Sequence, residues 1–149
     1  MAGFEIRLEP DLSAAEAFRR ILDLDAHTEL IPFTVVRHQG VAPGRRIVAR
    51  TGLGPVGFDD AMVIEGYAEP GNGEPGRCRI RKTGTWIRGE IELVVTPRGD
   101  SACSVRWRQL IRVWGVSAVA DPVVGIVARV AYAYVIRLLL GRRSVSVEQ

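Results

Sequence analysis

Apolar and charged residues alternate from the start of the chain: Phe4, Ile6 and Leu8 are separated by Glu5, Arg7 and Glu9. A period of two sets one row of side chains against a core and the other in water, so the spacing predicts a first strand. Directly afterwards Ser13, with Glu16 three residues on, forms a capping box. Ala14, Ala15, Ala17, Phe18, Ile21 and Leu22 then supply an apolar stripe at helical spacing. A helix of about three turns follows from that pattern. Residues 25–33 have no clean period, and a short second helix ending before Pro32 accounts for them, because the residue preceding a proline is pushed out of the helical region.

From Thr34 the punctuation changes to strand-sized runs, at residues 34–39, 46–51, 57–67, 77–83, 86–96 and 102–113. The stretches between them (VAPG, GLGP, EPGNGEPG, the Thr83-Gly84 pair and PRGD) are short and rich in turn residues. Counting the first, seven strands joined in this way predict an antiparallel meander. At the end, Asp121 suits a helix cap, Pro122 the first helical position, and Gly141 with Arg142 and Arg143 a stop. The intervening helix of about twenty residues spans roughly 30 Å.

Residues 123–140 are nearly all apolar and long enough for a bilayer span. Arg129 argues against that, because an arginine at mid-helix costs about 2.5–3.5 kcal/mol on insertion, and Arg137 adds a smaller penalty. The expectation is a buried or interfacial helix. The expected fold class is therefore α+β: a seven-stranded curved antiparallel sheet gripping a long C-terminal helix, with two short helices between strands one and two.

Length and composition narrow the partners. The 149 residues, 47% hydrophobic and 25% charged, suit a single domain spanning 1–149 with a real core, and exclude general disorder. Twenty Lys and Arg against 17 Asp and Glu give a net charge of +3, far from the dense basic stripe of a nucleic-acid binder, so no nucleic-acid partner is expected. Cys78 and Cys103 are too far apart for a C-x-x-C motif and sit in strand-like runs, which predicts buried free thiols. With no basic and apolar leader in MAGFEIRLEP, the expected localisation is cytoplasmic.

The order strand, helix, short helix, six strands and long helix resembles the START-like, or SRPBCC, superfamily. This is the helix-grip fold shared by birch-pollen-type allergens and bacterial polyketide cyclases. The resemblance covers essentially the whole chain and rests above all on the opening FEIRLEPDLSAAEAFRRILDLDAHTELIPF and the closing DPVVGIVARVAYAYVIRLLL. It implies a long helix lying across a concave sheet with a cavity between them, used in that superfamily for lipids, sterols, hormones or aromatic polyketides. The chain departs from the plant allergens after the second strand, where GVAPGRR stands in place of their glycine-rich loop.

If the apolar row of each strand faces the helix, polar residues within those rows are the ones a ligand would meet. In the sixth strand Ile87, Ile91, Leu93 and Val95 share one face, leaving Trp86, Arg88, Glu90 and Glu92 in water. In the seventh, the inward row is Cys103, Val105, Trp107, Gln109, Ile111 and Val113, which makes Gln109 a polar anchor beside Trp107. The fourth turns Phe58, Asp60, Met62 and Ile64 inward, and Asp59, Val63, Glu65 and Tyr67 outward. Asp60 is the candidate catalytic residue, as base or as hydrogen-bond acceptor. The third strand contributes Ile47, Ala49 and the hydroxyl of Thr51.

Plain structural roles compete with each of these: a wet strand end or a bulge-shifted row for Asp60, a satisfied core amide for Gln109, core packing for Trp107. Arg77, Arg79 and Arg81 fall together on one strand face, a solvated surface before it is a phosphate site.

On the last helix Val124, Val127, Ala131, Val135 and Leu138 cluster on one face. Tyr132 and Tyr134 flank it, and Arg129 and Arg137 lie opposite. Ile126, Ile136 and Leu140 share the arginine side, an outward apolar surface that a second copy of the chain or a membrane surface could cover. The expected ligand contacts are thus Thr51, Met62, Trp107, Gln109, Ala131, Tyr132 and Val135.

No metal and no cofactor are expected. His27 and His38 lie on different elements without carboxylates or cysteines at ligand spacing, and TGLGPVG does not match a phosphate-cradling loop. Three functions remain. The first is binding of a small hydrophobic or aromatic ligand, lipid- or polyketide-like, between sheet and helix. The second is a cofactor-free cyclase or dehydratase using the same cavity, and the third an interaction module acting through the outer face of the helix.

Overall fold

The computed structural model describes residues 2–30, 34–53, 55–115 and 120–141. Strand β1 (Ala2–Leu8) leads into helices α1 (Ala14–Ile21) and α2 (Leu24–Leu30). Six strands follow, β2 (Thr34–His38), β3 (Arg46–Leu53), β4 (Val56–Ala68), β5 (Gly76–Thr83), β6 (Ile87–Pro97) and β7 (Cys103–Val113), and then helix α3 (Asp121–Gly141). The strands form one antiparallel sheet in the order β1-β7-β6-β5-β4-β3-β2. Every neighbouring pair except β1–β7 is a hairpin, so α1 and α2 carry the chain from one edge of the sheet to the other. The arginines at 142 and 143, read as a stop signal, and the side chains of Asp121, read as a cap, and Phe58, read as facing inward, lie outside the described residues.

Local chemistry explains the element ends. The Ser13 hydroxyl accepts from the Glu16 amide at 3.2 Å and caps α1. Within EPGNGEPG, Asn72 and Gly73 both take positive φ, at 53° and 79°. Gly71 and Glu74 exchange backbone hydrogen bonds around them, the geometry that closes a two-residue hairpin turn. α2 is held to β2 by the Thr28 hydroxyl, which accepts from the Val36 amide at 2.9 Å, and by His38 against Asp25 at 2.9 Å.

The strand parities largely follow the alternation. Cys78, Ile80, Ile91, Leu93, Val95, Cys103, Val105, Trp107, Gln109 and Ile111 are all buried on the concave side, where Phe18 and Ile21 of α1 join them. Both cysteines are free and buried, and burial pushes the Cys78 thiol up to about 12, far from thiolate chemistry. The convex side carries cross-strand charge pairs, Arg81 with Glu65 at 2.9 Å and Arg106 with Glu92 at 3.3 Å. Pairs so exposed contribute at most about 1 kcal/mol each.

Two expectations need correction. Tyr67 does not point outward. The register of β4 against β5 shifts between Ile64 and Gly66, and beyond that irregularity parity reverses, so the Tyr67 ring packs 5.5 Å from that of Phe18. α3 is also rotated from its expected orientation: Ile136, Leu139 and Leu140 are buried, whereas Val127 is 63% exposed and Ala131 is exposed.

A helix apolar on every side carries no phase in its own sequence, and contacts set the rotation instead. Gly125 lies against Ala2 and Gly3 of β1. Arg129 Nε donates to the Glu5 carbonyl at 3.3 Å, and Arg20 Nη1 donates to the Leu140 carbonyl at 2.6 Å, satisfying one of the acceptors left open at the helix end. By length and composition α3 could cross a bilayer, yet one face packs on β1, α1 and α2. Val123, Ile126, Val127, Val130 and Tyr134 form an exposed stripe on the other.

Gly89 occupies an inward position of β6 with φ of 149°. A Cβ there would lie 1.8 Å from the Leu110 carbonyl oxygen. Gly89→Ala should therefore cost about 2 kcal/mol or more, because both the backbone conformation and the clash must be relieved. A thermal melt unchanged by the substitution would contradict that close approach.

His27 on α2 is a second probe. Its Nε2 donates to the Ile21 carbonyl at 3.0 Å, and burial holds its pKa below the ordinary 6.5 against the opposing effects of that bond and of Asp23. The unfolded chain then binds the extra proton first. The stability His27 contributes is complete above about pH 6.5 and is lost as pH falls through the folded pKa. Melting temperatures measured from pH 7 to pH 5 should fall less steeply in His27→Gln than in the native chain.

Candidate functional site

Between the concave face and the three helices lies a cavity of about 410 Å³. Sheet residues Ile47, Ala49, Thr51, Asp60, Met62, Ile80, Ile87, Ile91, Trp107 and Ile111 form one wall. Ala131, Tyr132 and Val135 of α3 form another, and Ile21, Leu22, Leu24 and His27 close it from α1 and α2. A small residue contributes to the space. Across the sheet one inward row reads Ile47, Met62, Lys82, Gly89 and Ile111, and the next begins Ala49, Asp60. Ala49 leaves the hollow unfilled where a larger side chain would meet the helices.

The cavity has one charged corner. Lys82 sits in β5 directly across from Met62 and diagonally from Asp60, within reach on the same face of the antiparallel pair. Its side chain is 0% exposed and that of Asp60 12%, and the Lys82 ammonium donates a short hydrogen bond to Asp60 Oδ2. Lys82 Nζ also lies 3.5 Å from the Tyr132 hydroxyl and 3.8 Å from Met62 Sδ. Burial alone would push the lysine pKa down. Tyr132 and Asp60 outweigh that and hold it above its ordinary value, so the ammonium stays charged at neutral pH.

Tyr132 is fixed by stacking. Its ring lies between those of Phe4 and Trp107, with centroids 5.8 and 5.7 Å away, an arrangement that aims the hydroxyl at Lys82 and seats the middle of α3 on β1 and β7. Asp60 Oδ1, by contrast, has no hydrogen-bond partner.

Of the residues singled out in the sequence, Thr51, Asp60, Met62, Trp107, Ala131, Tyr132 and Val135 meet around this one space. Gln109 does not border it. It is buried between Phe4 and Ile91 in the sheet register, and its Oε1 accepts from Trp107 Nε1 at 3.1 Å, the role of a core amide. The bulge in β4 falls beyond Ile64 and leaves Asp60 in the inward row. Thr51 spends its hydroxyl on that of Thr34, 2.9 Å away.

Lys82 and His27 were not picked out from the sequence. For Lys82 the signal was present, since placing Arg77, Arg79 and Arg81 on one face of RCRIRK leaves Cys78, Ile80 and Lys82 on the other. For His27 no period in the α2 segment marks its orientation.

No protein-family model and no curated protein sequence matches the chain. Solved structures do. A START superfamily protein from Mycobacterium smegmatis superposes with a TM-score of 0.71 at 14% identity, covering 95% of this chain and 97% of that one. The di-domain ARO/CYC BexL from the BE-7585A biosynthetic pathway gives 0.66 at 15% identity, over 93% of this chain and 45% of that one. A point mutant of norcoclaurine synthase from Thalictrum flavum, in complex with a transition state analogue, gives 0.62 at 14% identity over 93% of each chain. Element order, sheet topology and these superpositions agree: the chain has the START-like helix-grip fold.

Proposed function

We propose that this protein binds a small apolar or aromatic molecule, lipid- or polyketide-like, in the cavity between its sheet and α3. The observation that carries the reading is the cavity itself, about 410 Å³ walled largely by Ile, Leu, Val, Met, Ala and Trp side chains from six strands and all three helices. Apolar surface kept out of contact loses dispersion and hydrophobic stabilisation of about 25 cal/mol per Å², which a ligand of matching shape restores. Met62 and Trp107 are suited to contacting the body of the ligand, while Ala131 and Val135 stand at its rim on α3. The structural neighbours support a small-molecule partner in general, because they include an aromatase/cyclase and a synthase captured with a transition state analogue.

A second reading, a cofactor-free cyclase or dehydratase, is favoured by one observation: Asp60 and Tyr132 place a carboxylate and a phenol at one corner of the same space, with the buried Lys82 ammonium hydrogen-bonded behind them. Such a corner can move a proton on a bound molecule. Binding comes first in either case.

The neutral fluorophore N-phenyl-1-naphthylamine, bright only out of water, tests it. Titration should show saturable binding at one site per chain, and Ala49→Trp, which fills the hollow from β3, should weaken it at least tenfold while leaving the fold intact by circular dichroism. Fluorescence that rises without saturation, or that Ala49→Trp leaves unaltered, would rule out the cavity as the site.

A further inference from the structure

On the convex face of the sheet, away from the cavity, one row across the strands reads Glu5, Arg108, Glu92 and Arg79. Opposite charges stand side by side there, the pattern of a surface that compensates itself in water. The row beside it reads Arg7, Arg106, Val94 and Arg77, with no carboxylate in it. Arg7 and Arg106 are directly opposite each other, a like-charge pairing that costs stability. This row lines a groove of about 380 Å³, which Thr96 and Ser104 also border. Val94 forms its floor. It is only 7% exposed although it stands in the outward row, which places the stems of the neighbouring arginines over it.

Nearby carboxylates do not use up this charge. Glu5 accepts from Arg7 Nε at 2.7 Å, and Glu92 accepts from Arg106 Nη2 at 3.3 Å while also facing Arg79 at 3.8 Å. Glu9, at the edge of the groove, is paired with Arg98 at 2.9 Å. Among the described residues Arg77 has neither an ion pair nor a side-chain hydrogen bond. We propose that the groove binds the phosphate group of a phosphomonoester, held between Arg77 and Arg106 over Val94, with Arg7 adding a third positive charge. Adjacent strands lie about 4.8 Å apart, so the backbones of Arg77 and Arg106 flank Val94 at a separation of about 10 Å, and their side chains are long enough to close on one anion. A carboxylate offers two oxygens in a plane. A phosphomonoester offers three around a tetrahedral centre and carries about 1.5 to 2 negative charges near pH 7, which suits guanidinium donors from two sides and a neighbouring hydroxyl. Its charge also offsets the repulsion between Arg7 and Arg106.

Calorimetric titration with glycerol 1-phosphate, with acetate as the carboxylate control, tests the site. The ester should bind once per chain and about tenfold more tightly than acetate. Arg77→Gln should weaken it about tenfold. Arg81→Gln removes the same charge from the same strand, but from an arginine held by Glu65 at 2.9 Å, and should change the affinity by less than about twofold. Flotation with phosphatidylcholine vesicles, with and without phosphatidic acid, identifies the source of the phosphate. Capture that requires both phosphatidic acid and Arg77 marks a lipid headgroup, binding of the soluble ester alone marks a free phosphomonoester, and either result supports the site. Acetate bound as tightly as the ester, equal losses in Arg77→Gln and Arg81→Gln, or no response to phosphate in either form overturns it. Both arginines are exposed, so neither substitution disturbs the core, and the ranking of ester against acetate in the native chain is decisive without any variant.

Discussion

An ammonium group with no access to water survives inside a protein only if something nearby replaces its hydration, and at Lys82 that replacement is Asp60, with Tyr132 and Met62 completing the shell. The arrangement ties three elements together. Asp60 comes from β4, Lys82 from β5 and Tyr132 from α3, so the same contacts that neutralise the charge also place the final helix over the hollow of the sheet. Taking away either charged partner strands the other in an apolar interior, a loss of about 3–5 kcal/mol for a buried pair.

Around this corner the remaining geometry follows from size. Gly89 stands across the sheet from Lys82 and Ala49 across from Asp60, so each charged residue faces a small neighbour on the adjacent strand. The Tyr132 ring, gripped by Phe4 and Trp107, spans from the packed end of the core to the open end. One end of the molecule is thus an ordinary close-packed interior of Ile64, Cys78, Leu93, Val95 and Val105, and the other is a chamber with a single charged corner. A chamber of this kind selects its occupant by shape over most of the wall and by hydrogen bonding at one point.

Much of the fold was legible because alternation and turn chemistry are local. The strand ends, the capping box at Ser13 and the inward row of β7 depend on residues a few positions apart, and the structure places them as the pattern implies. What could not be read is set by partners distant in sequence. The rotation of α3 is fixed by Gly125 against β1 and by the arginines at 20 and 129, information absent from a helix that is apolar all round. The inward turn of Tyr67 depends on an irregularity near Gly66 that no residue pattern announces. Lys82 was hidden differently: its parity was readable, but three outward arginines on the same strand made the whole segment look solvated. Gln109 shows the converse, since its inward position was legible while its partner, the Trp107 indole two residues away on the same face, decided that it serves the core.

Lys82 and Asp60 form a mutually compensating pair beside the cavity, and a double-mutant cycle on their stabilities measures that dependence directly. Lys82→Met and Asp60→Leu made singly should each lower unfolding free energy by about 3 kcal/mol or more, while the two together should lose far less than their sum, giving a coupling above about 2 kcal/mol. Additive losses would mean that the two charges do not depend on each other, and would contradict the site as described.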